Sequence, residues 1–168
     1  MTMSDIEIAE TQKKLGLLLR AQEFYDNSHM EEKMANLTSQ EARNLEIVKR
    51  GFDAFAAGDM ATMKSLFAPD ARWHGTRTGI FTGDYQGMRA ILEYFGQSKQ
   101  ITAGTIHATP VVTSVTGNRV FALTHLTAER GTATLDANEV MIFTVENDVV
   151  ADVAVFEGNY PEVVAFYS

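Results

Sequence analysis

One stretch, Ile47 to Gly75, constrains the fold more than any other part of the chain. Ile47, Val48, Gly51, Phe52 and Phe55 recur at helical spacing and make one apolar stripe, the mark of an amphipathic helix. Gly58 stands where a left-handed helix cap is needed, and Asp59 follows as an N-cap for the next helix. Met60, Met63, Leu66 and Phe67 give that second, shorter helix its own apolar face. Pro69 stops it, and Asp70 to His74 read as extended. The order is therefore helix, tight turn, short helix, first strand.

The rest of the chain fits around this unit. Thr38-Ser39-Gln40-Glu41 is a capping-box pattern: a hydroxyl at the N-cap and a carboxylate three residues on can each meet a free backbone N–H. It opens the first helix, which runs to about Ala57, and marks a main domain over 38–168. Ile80-Phe81 lie in a turn over 76–82. Gly83-Asp84-Tyr85-Gln86-Gly87 is a Gly-flanked loop that leads into a helix from Met88 to about Ser98, with Ile91, Leu92 and Phe95 buried. The loop's spacing matches neither a P-loop nor a dinucleotide fingerprint. Strands follow at about 104–115, 119–130, 133–145 and 149–157, joined by turns at Gly117-Asn118, Gly131-Thr132 and Asn147-Asp148. Pro110, inside the first of these, marks an edge or a bulge. Pro161 opens a final short helix. Helices first and an antiparallel meander afterwards argue for an α+β fold. Residues 1–37 form a separate helical arm that packs on the domain or on a second subunit. A lid over a binding site and disorder are the alternatives.

Charge and composition exclude several functions. The chain has 22 acidic and 14 basic residues, a net charge of −8, and no run of Lys or Arg, so nucleic acid is not an expected partner. From Gly131 onward there is no Lys or Arg, but there are seven acids, and that half repels phosphates. Cys is absent, which removes disulfides and thiolate chemistry. There is no membrane-length apolar run and no secretory pattern at the N-terminus, so a cytoplasmic protein is expected, with no membrane partner. The histidines show no metal-ligand spacing, and neither metal nor cofactor is expected.

Hairpin pairing sorts the strand side chains by face. A two-residue turn at Asn147-Asp148 puts Glu139 opposite Phe156, Met141 opposite Ala154 and Phe143 opposite Asp152, all on one face. Val140, Ile142, Val153 and Val155 share the other face with Asn138 and Glu157. Both faces are largely apolar. Helices in a small domain cover one, and the other is expected to meet a second subunit, which predicts a homodimer through the sheet.

Glu139 is the odd residue, a carboxylate in mid-strand. On an interior face it is desolvated and its pKa rises, so that it can donate a hydrogen bond or a proton near neutral pH. The alternative is a rim position or pairing with a basic residue. Asp152 shares the predicted face and could divide acid and base roles with Glu139, or be solvated near its turn. His125 lies opposite Glu139's face if the Gly131-Thr132 turn has two residues, and on the same face if it has three. His107 carries the same ambiguity. Of Trp73 and His74, one points in and one out, and burial favours Trp73 inward.

Ala54-Phe55-Ala56-Ala57-Gly58-Asp59, Leu66-Phe67-Ala68-Pro69-Asp70-Ala71, Gly83-Asp84-Tyr85-Gln86-Gly87 and Asp152 through Phe156 together resemble the nuclear transport factor 2-like superfamily, in its SnoaL-like and ketosteroid-isomerase-like branch. The resemblance covers about residues 40–168. It implies a cone: a curved antiparallel sheet wrapped around N-terminal helices and enclosing an apolar pocket, in a domain that is commonly a dimer. It matches the isomerase's oxyanion-hole acid to Glu139 and its pocket phenylalanine to Phe156. It puts the isomerase's general-base aspartate at Gly75 and its oxyanion-hole tyrosine at Gly51, so two of three catalytic groups are missing and steroid isomerisation by that mechanism is not expected. The expectation is an enzyme using acid–base chemistry on a small, largely apolar molecule, of isomerase, cyclase or hydrolase/lyase type. Glu139, with His125 or Asp152, is the catalytic candidate. Trp73, Met141, Phe143 and Phe156 shape the pocket, and Tyr85 closes its mouth. The alternative is a non-catalytic ligand-binding or dimerisation module, marked by a filled pocket and by Glu139 bonded to a neighbour such as Thr124.

Overall fold

The structure, a computed structural model, describes residues 37–75, 79–81, 83–158 and 160–168. The arm expected over 1–37 falls, up to residue 36, outside the described residues.

Helix α1 (Ser39–Ala57) buries Ile47, Val48 and Phe52 of the stripe read from the spacing, with Leu45 and Ala54 beside them, while Gly51 and Phe55 are part-buried. Gly58 ends it with a φ of +70°, a conformation that costs a side chain strain. Asp59 then caps α2 (Met60–Leu66), its carboxylate accepting from the Thr62 N–H at 3.0 Å. Strand β1 (Phe67–His74) begins earlier than expected. Pro69 lies inside it, within the stretch where its pairing register is broken, so the missing N–H costs no ladder bond there. A 3₁₀ turn (Gly79–Phe81) and the short β2 (Asp84–Gln86) precede α3 (Met88–Ile101). Then come β3 (His107–Thr116), β4 (Arg119–Arg130), β5 (Ala133–Glu146), β6 (Val149–Glu157) and α4 (Tyr160–Tyr167).

The six strands form one curved, unclosed sheet in the order β2-β1-β6-β5-β4-β3. Neighbours are antiparallel except β1 and β6, which run parallel. Pro110 lies in the edge strand β3, next to a register shift before Val112. The inner face carries α1, α3 and α4. At one end it is filled by Phe81, Leu126, Leu135, Val163 and Phe166 among others. Arg130 donates to the carbonyls of Phe166 (2.8 Å) and Ser168 (3.1 Å), a cation at the C-terminus of α4 that fixes this helix on the sheet. At the other end, Asn44 of α1 donates to the Gly117 carbonyl (3.0 Å) and Glu41 accepts from the Gly117 N–H (2.8 Å), tying α1 to the β3–β4 turn.

Two register details decide which side chains face inward. The Gly131-Thr132 turn has two residues, with Arg130 paired to Ala133. The Asn147-Asp148 turn also has two, both at positive φ, which suits the twist of a tight hairpin. Beyond it, however, β6 slips: Val145 pairs with Val150, but Thr144 pairs with Asp152, leaving Ala151 as an extra residue. This bulge inverts every later side chain of β6 relative to the expected register. Glu139 faces Glu157, not Phe156, and Met141 and Phe143 pair with Val155 and Val153. The slip lets Val150, Val153 and Val155 all turn toward the helices while Asp152 stays out of the apolar interior.

Candidate active site

Between the helices and the sheet lies a cavity of about 80 Å³, counted as room for the centres of water molecules. On that measure it could hold on the order of six waters or one small organic molecule. Each wall follows from an element already described. Helix α1 contributes Val48, Phe52 and Phe55, β1 contributes Phe67 and Trp73, and α3 contributes Tyr94 and Phe95. Met141 and Phe143 of β5 and Val150 and Val155 of β6 form the floor. The rings interlock edge to face: Trp73 on Phe95 at 4.9 Å, Phe52 on Phe143 at 5.8 Å. Such contacts hold aromatic walls in place beyond their area alone.

Four ionisable groups line this apolar space: Glu139, Glu157, Tyr94 and Tyr167. Glu139 is 9% exposed. Burial, and secondly the neighbouring Glu157, raises its pKa from the ordinary 4.5 to about 7. Burial likewise raises Glu157 to about 7. The two stand directly across the β5–β6 ladder, so they titrate together. Burial pushes the phenols of Tyr94 and Tyr167 upward, and the acidic neighbours add to that. Glu139 has no hydrogen bond or ion pair among the described residues. The Thr124 hydroxyl, opposite it on β4, is buried and unpartnered, so the Glu139–Thr124 bond that would mark a filled structural site is not made.

Of the residues singled out by sequence, Glu139, Trp73, Met141 and Phe143 line the cavity. Tyr85 does not; it stacks on Tyr94 at 4.5 Å and reaches the wall only through that ring. Phe156 is 56% exposed on the outer face, where the β6 bulge turns it. Asp152 is also outside, bonded to Arg72 (3.1 Å) and His74 (3.1 Å), partners that make the outer face the better place for its charge. Burial works against a charged His74 ring, but the bonds to Asp84 and Asp152 outweigh it and hold its pKa above 6.5. His125 pairs with Asn138 and bonds Asp136 at 2.8 Å, again on the outer face, as a two-residue turn requires. His107 is exposed. Glu157 is the residue sequence reasoning placed on the wrong side. The Asp-Val-Ala-Val alternation of 152–155 was its one signal, because an inward Val153 and Val155 carry Glu157 inward too.

The two glycines at the isomerase's catalytic positions differ. A Cβ on Gly51, beside the cavity, would meet nothing within 4 Å, whereas one on Gly75 would meet the Gly83 carbonyl and the Tyr85 ring at 3.2 Å. A side chain can therefore start from Gly51 without a clash, whereas one at Gly75 needs its neighbours to give way. Among the described residues no group of His, Asp and Glu could hold a metal ion, and no helix is long and apolar enough to cross a membrane.

Residues 48–153 match the model of the SnoaL-like domain. The chain belongs to the SnoaL-like family. This SnoaL-like domain is 32% identical over 103 residues to an uncharacterised protein of Mycobacterium tuberculosis, covering 61% of this chain and 79% of that protein. The structure of Bal32a, from a soil-derived mobile gene cassette, superposes with a TM-score of 0.75 at 31% identity, over 77% of this chain and all (100%) of that one. A nuclear transport factor 2-like protein from Burkholderia xenovorans LB400 shares the fold at 17% identity, with a TM-score of 0.65 over 76% of this chain and 98% of that one. The fold is therefore that of the nuclear transport factor 2-like superfamily, in its SnoaL-like branch.

Proposed function

We propose that this SnoaL-like domain is an enzyme of cyclase or isomerase type that performs acid–base chemistry on a small, largely apolar molecule. Glu139 and Glu157 are the working pair. The observation that carries this is Glu139 itself: a carboxyl nine-tenths buried, without a bonding partner, lining a cavity beside a second carboxyl. Burying such a group is costly, and no bond within the domain offsets the cost. Glu157 is half-buried beside Glu139, and two adjacent carboxyls do not both ionise readily, so near neutrality one holds a proton and the other is free to take one. The protonated member donates to a substrate oxygen as charge builds there, and the carboxylate removes a proton from the adjacent carbon. Positioned proton transfer of this kind is worth roughly 10²–10⁴ in rate. Trp73, Met141 and Phe143 shape the cavity, and the Tyr94 and Tyr167 hydroxyls supply further donors. Open space at Glu139 and the free Thr124 hydroxyl favour this reading over a non-catalytic module.

The test begins with a thermal-shift screen of enones, epoxides and polycyclic ketones, since a ligand of the folded state raises Tm by mass action. Turnover of any hit is then followed. Glu139→Gln should abolish turnover with the fold intact; retained activity would sink the role.

We further propose that the outer face of the sheet meets a second copy of the chain. Val112, Leu123, Val140 and Phe156 are exposed and paired in register, one apolar row across four strands. His125 bonds Asp136 and Asp152 bonds Arg72 on this face, while Arg119, Glu129 and Glu146 stand at the strand ends. A two-fold contact centred on the row lays apolar residue on apolar residue and leaves those end charges at the rim.

A further inference from the structure

We propose that the cavity is built for a cation: a small, largely apolar molecule bearing one protonated amino group, its nitrogen held between Glu139 and Glu157. This rests on the same cavity being the working site, and it names the class of molecule that site takes; with an amine bound, its ammonium takes over as proton donor and the two carboxylates are the acceptors.

Three observations lead there. The first is the charge inventory. Glu157 from β6, Tyr94 from α3 and Tyr167 from α4 are the ionisable groups that line the cavity with Glu139, and none is a cation. Among the described residues no Lys, Arg or His lines the cavity; of the cations nearby, Lys99 bonds the Phe55 carbonyl at 2.7 Å, Arg130 the end of α4 and Arg72 Asp152. The second is Glu139, buried and unpartnered. What it lacks is a donor, and a charged donor satisfies it better than a neutral one. An ammonium carries up to three N–H bonds and can serve both carboxylates at once, whereas a neutral carbonyl can use only whichever acid is protonated. The third is the wall. Trp73, Tyr94 and Phe95 bring π-systems to the wall, which attract a cation in a dry site. An anion would meet the ionised member of the pair in the same space. The chain's net charge of −8 adds a long-range field that draws cations and turns anions away.

The test uses three ligands of one shape: naphthylmethylamine, naphthylmethanol and naphthoate, titrated into the full chain by calorimetry near neutral pH. The amine should bind at least about tenfold more tightly than the alcohol, since it adds charge-assisted bonds and cation–π contact. Naphthoate should not bind. Amine binding should also release protons, because a cation between the two carboxyls favours their ionised forms; the measured heat then varies with the ionisation enthalpy of the buffer. Glu157→Gln should weaken the amine by about tenfold and leave the alcohol nearly unchanged. The near-isosteric change preserves the fold, checked by circular dichroism, and the wild-type ranking decides the matter if it does not. An alcohol or naphthoate that binds as well as the amine overturns the inference. If the alcohol binds, and Glu139→Gln removes that binding, the cation falls and the acid–base cavity stands. Failure of all three to bind overturns both.

Discussion

Replacing Glu139 with Gln should stabilise this protein, and only above a certain pH. The folded chain holds the Glu139 proton more tightly than the unfolded chain, with a pKa of about 7 against an ordinary 4.5. Below about pH 4.5 the carboxyl is neutral in both states and costs nothing. As pH rises from there to about 7, the unfolded state loses its proton first and stability falls; above about 7 both states are ionised and the loss is complete. Each tenfold difference in proton affinity corresponds to about 1.4 kcal/mol, so the full loss is about 3 kcal/mol. Gln has nearly the same shape and no charge to bury. Glu139→Gln should therefore match the wild type at pH 4, and exceed it by up to about 3 kcal/mol at pH 8, or roughly 6–12 °C in Tm for a chain of this size. Urea denaturation of both proteins across that range, with the slope of each transition compared, measures the difference directly. A difference that stays constant with pH, or a wild type that gains on the variant as pH rises, would show that Glu139 is not the buried acid described above.

Glu157→Gln should lower the Glu139 pKa without restoring it to 4.5, because burial is the larger cause and Glu157 the second; carbon-13 carboxyl NMR reads this, and an unmoved titration would separate the two groups. Trp73→Ala should cost about 3–5 kcal/mol in urea, since that ring meets Phe67, Tyr94 and Phe95, whereas Phe156→Ser at low protein concentration should change stability by no more than about 0.5 kcal/mol. Gly51→Phe should fill the cavity and abolish ligand-induced thermal shifts while the domain stays folded; a ligand that still binds occupies some other place. Val140→Lys should yield monomers in sedimentation velocity, by placing a charge in the middle of the apolar row; an unchanged association state would remove the sheet face as the contact.

Much of the fold was legible because short-range chemistry wrote it. The α1 stripe, the Gly58 stop, the Asp59 cap and the places of the three hairpin turns each depend on neighbours within a few positions, while the two-residue length of the Gly131-Thr132 turn came only with the strand register. The bounds of β4 and β6 at Arg119–Arg130 and Val149–Glu157 follow from turn residues alone. Glu139 too was visible, as a carboxylate where alternation demanded an inward residue. The site's second half was not. Side chains alternate with a period of two, so one extra residue at Ala151 exchanged Phe156 and Asp152 for Glu157.

The sequence by itself determined the helices, five of the six strands and their order, and an acid in mid-strand over an apolar floor; Asp84–Gln86, read as loop, becomes a strand only by pairing with β1. Tertiary structure alone decided which acid keeps it company. The parallel pairing of β1 with β6 sets Arg72 and His74 beside Asp152, on the side away from the helices. A carboxylate bonded to Arg72 and His74 is stable there and would be desolvated inside. The bulge resolves that conflict by turning Asp152 outward and Glu157 inward, and no local pattern in 149–157 encodes a partner that lies some 80 residues earlier on another strand.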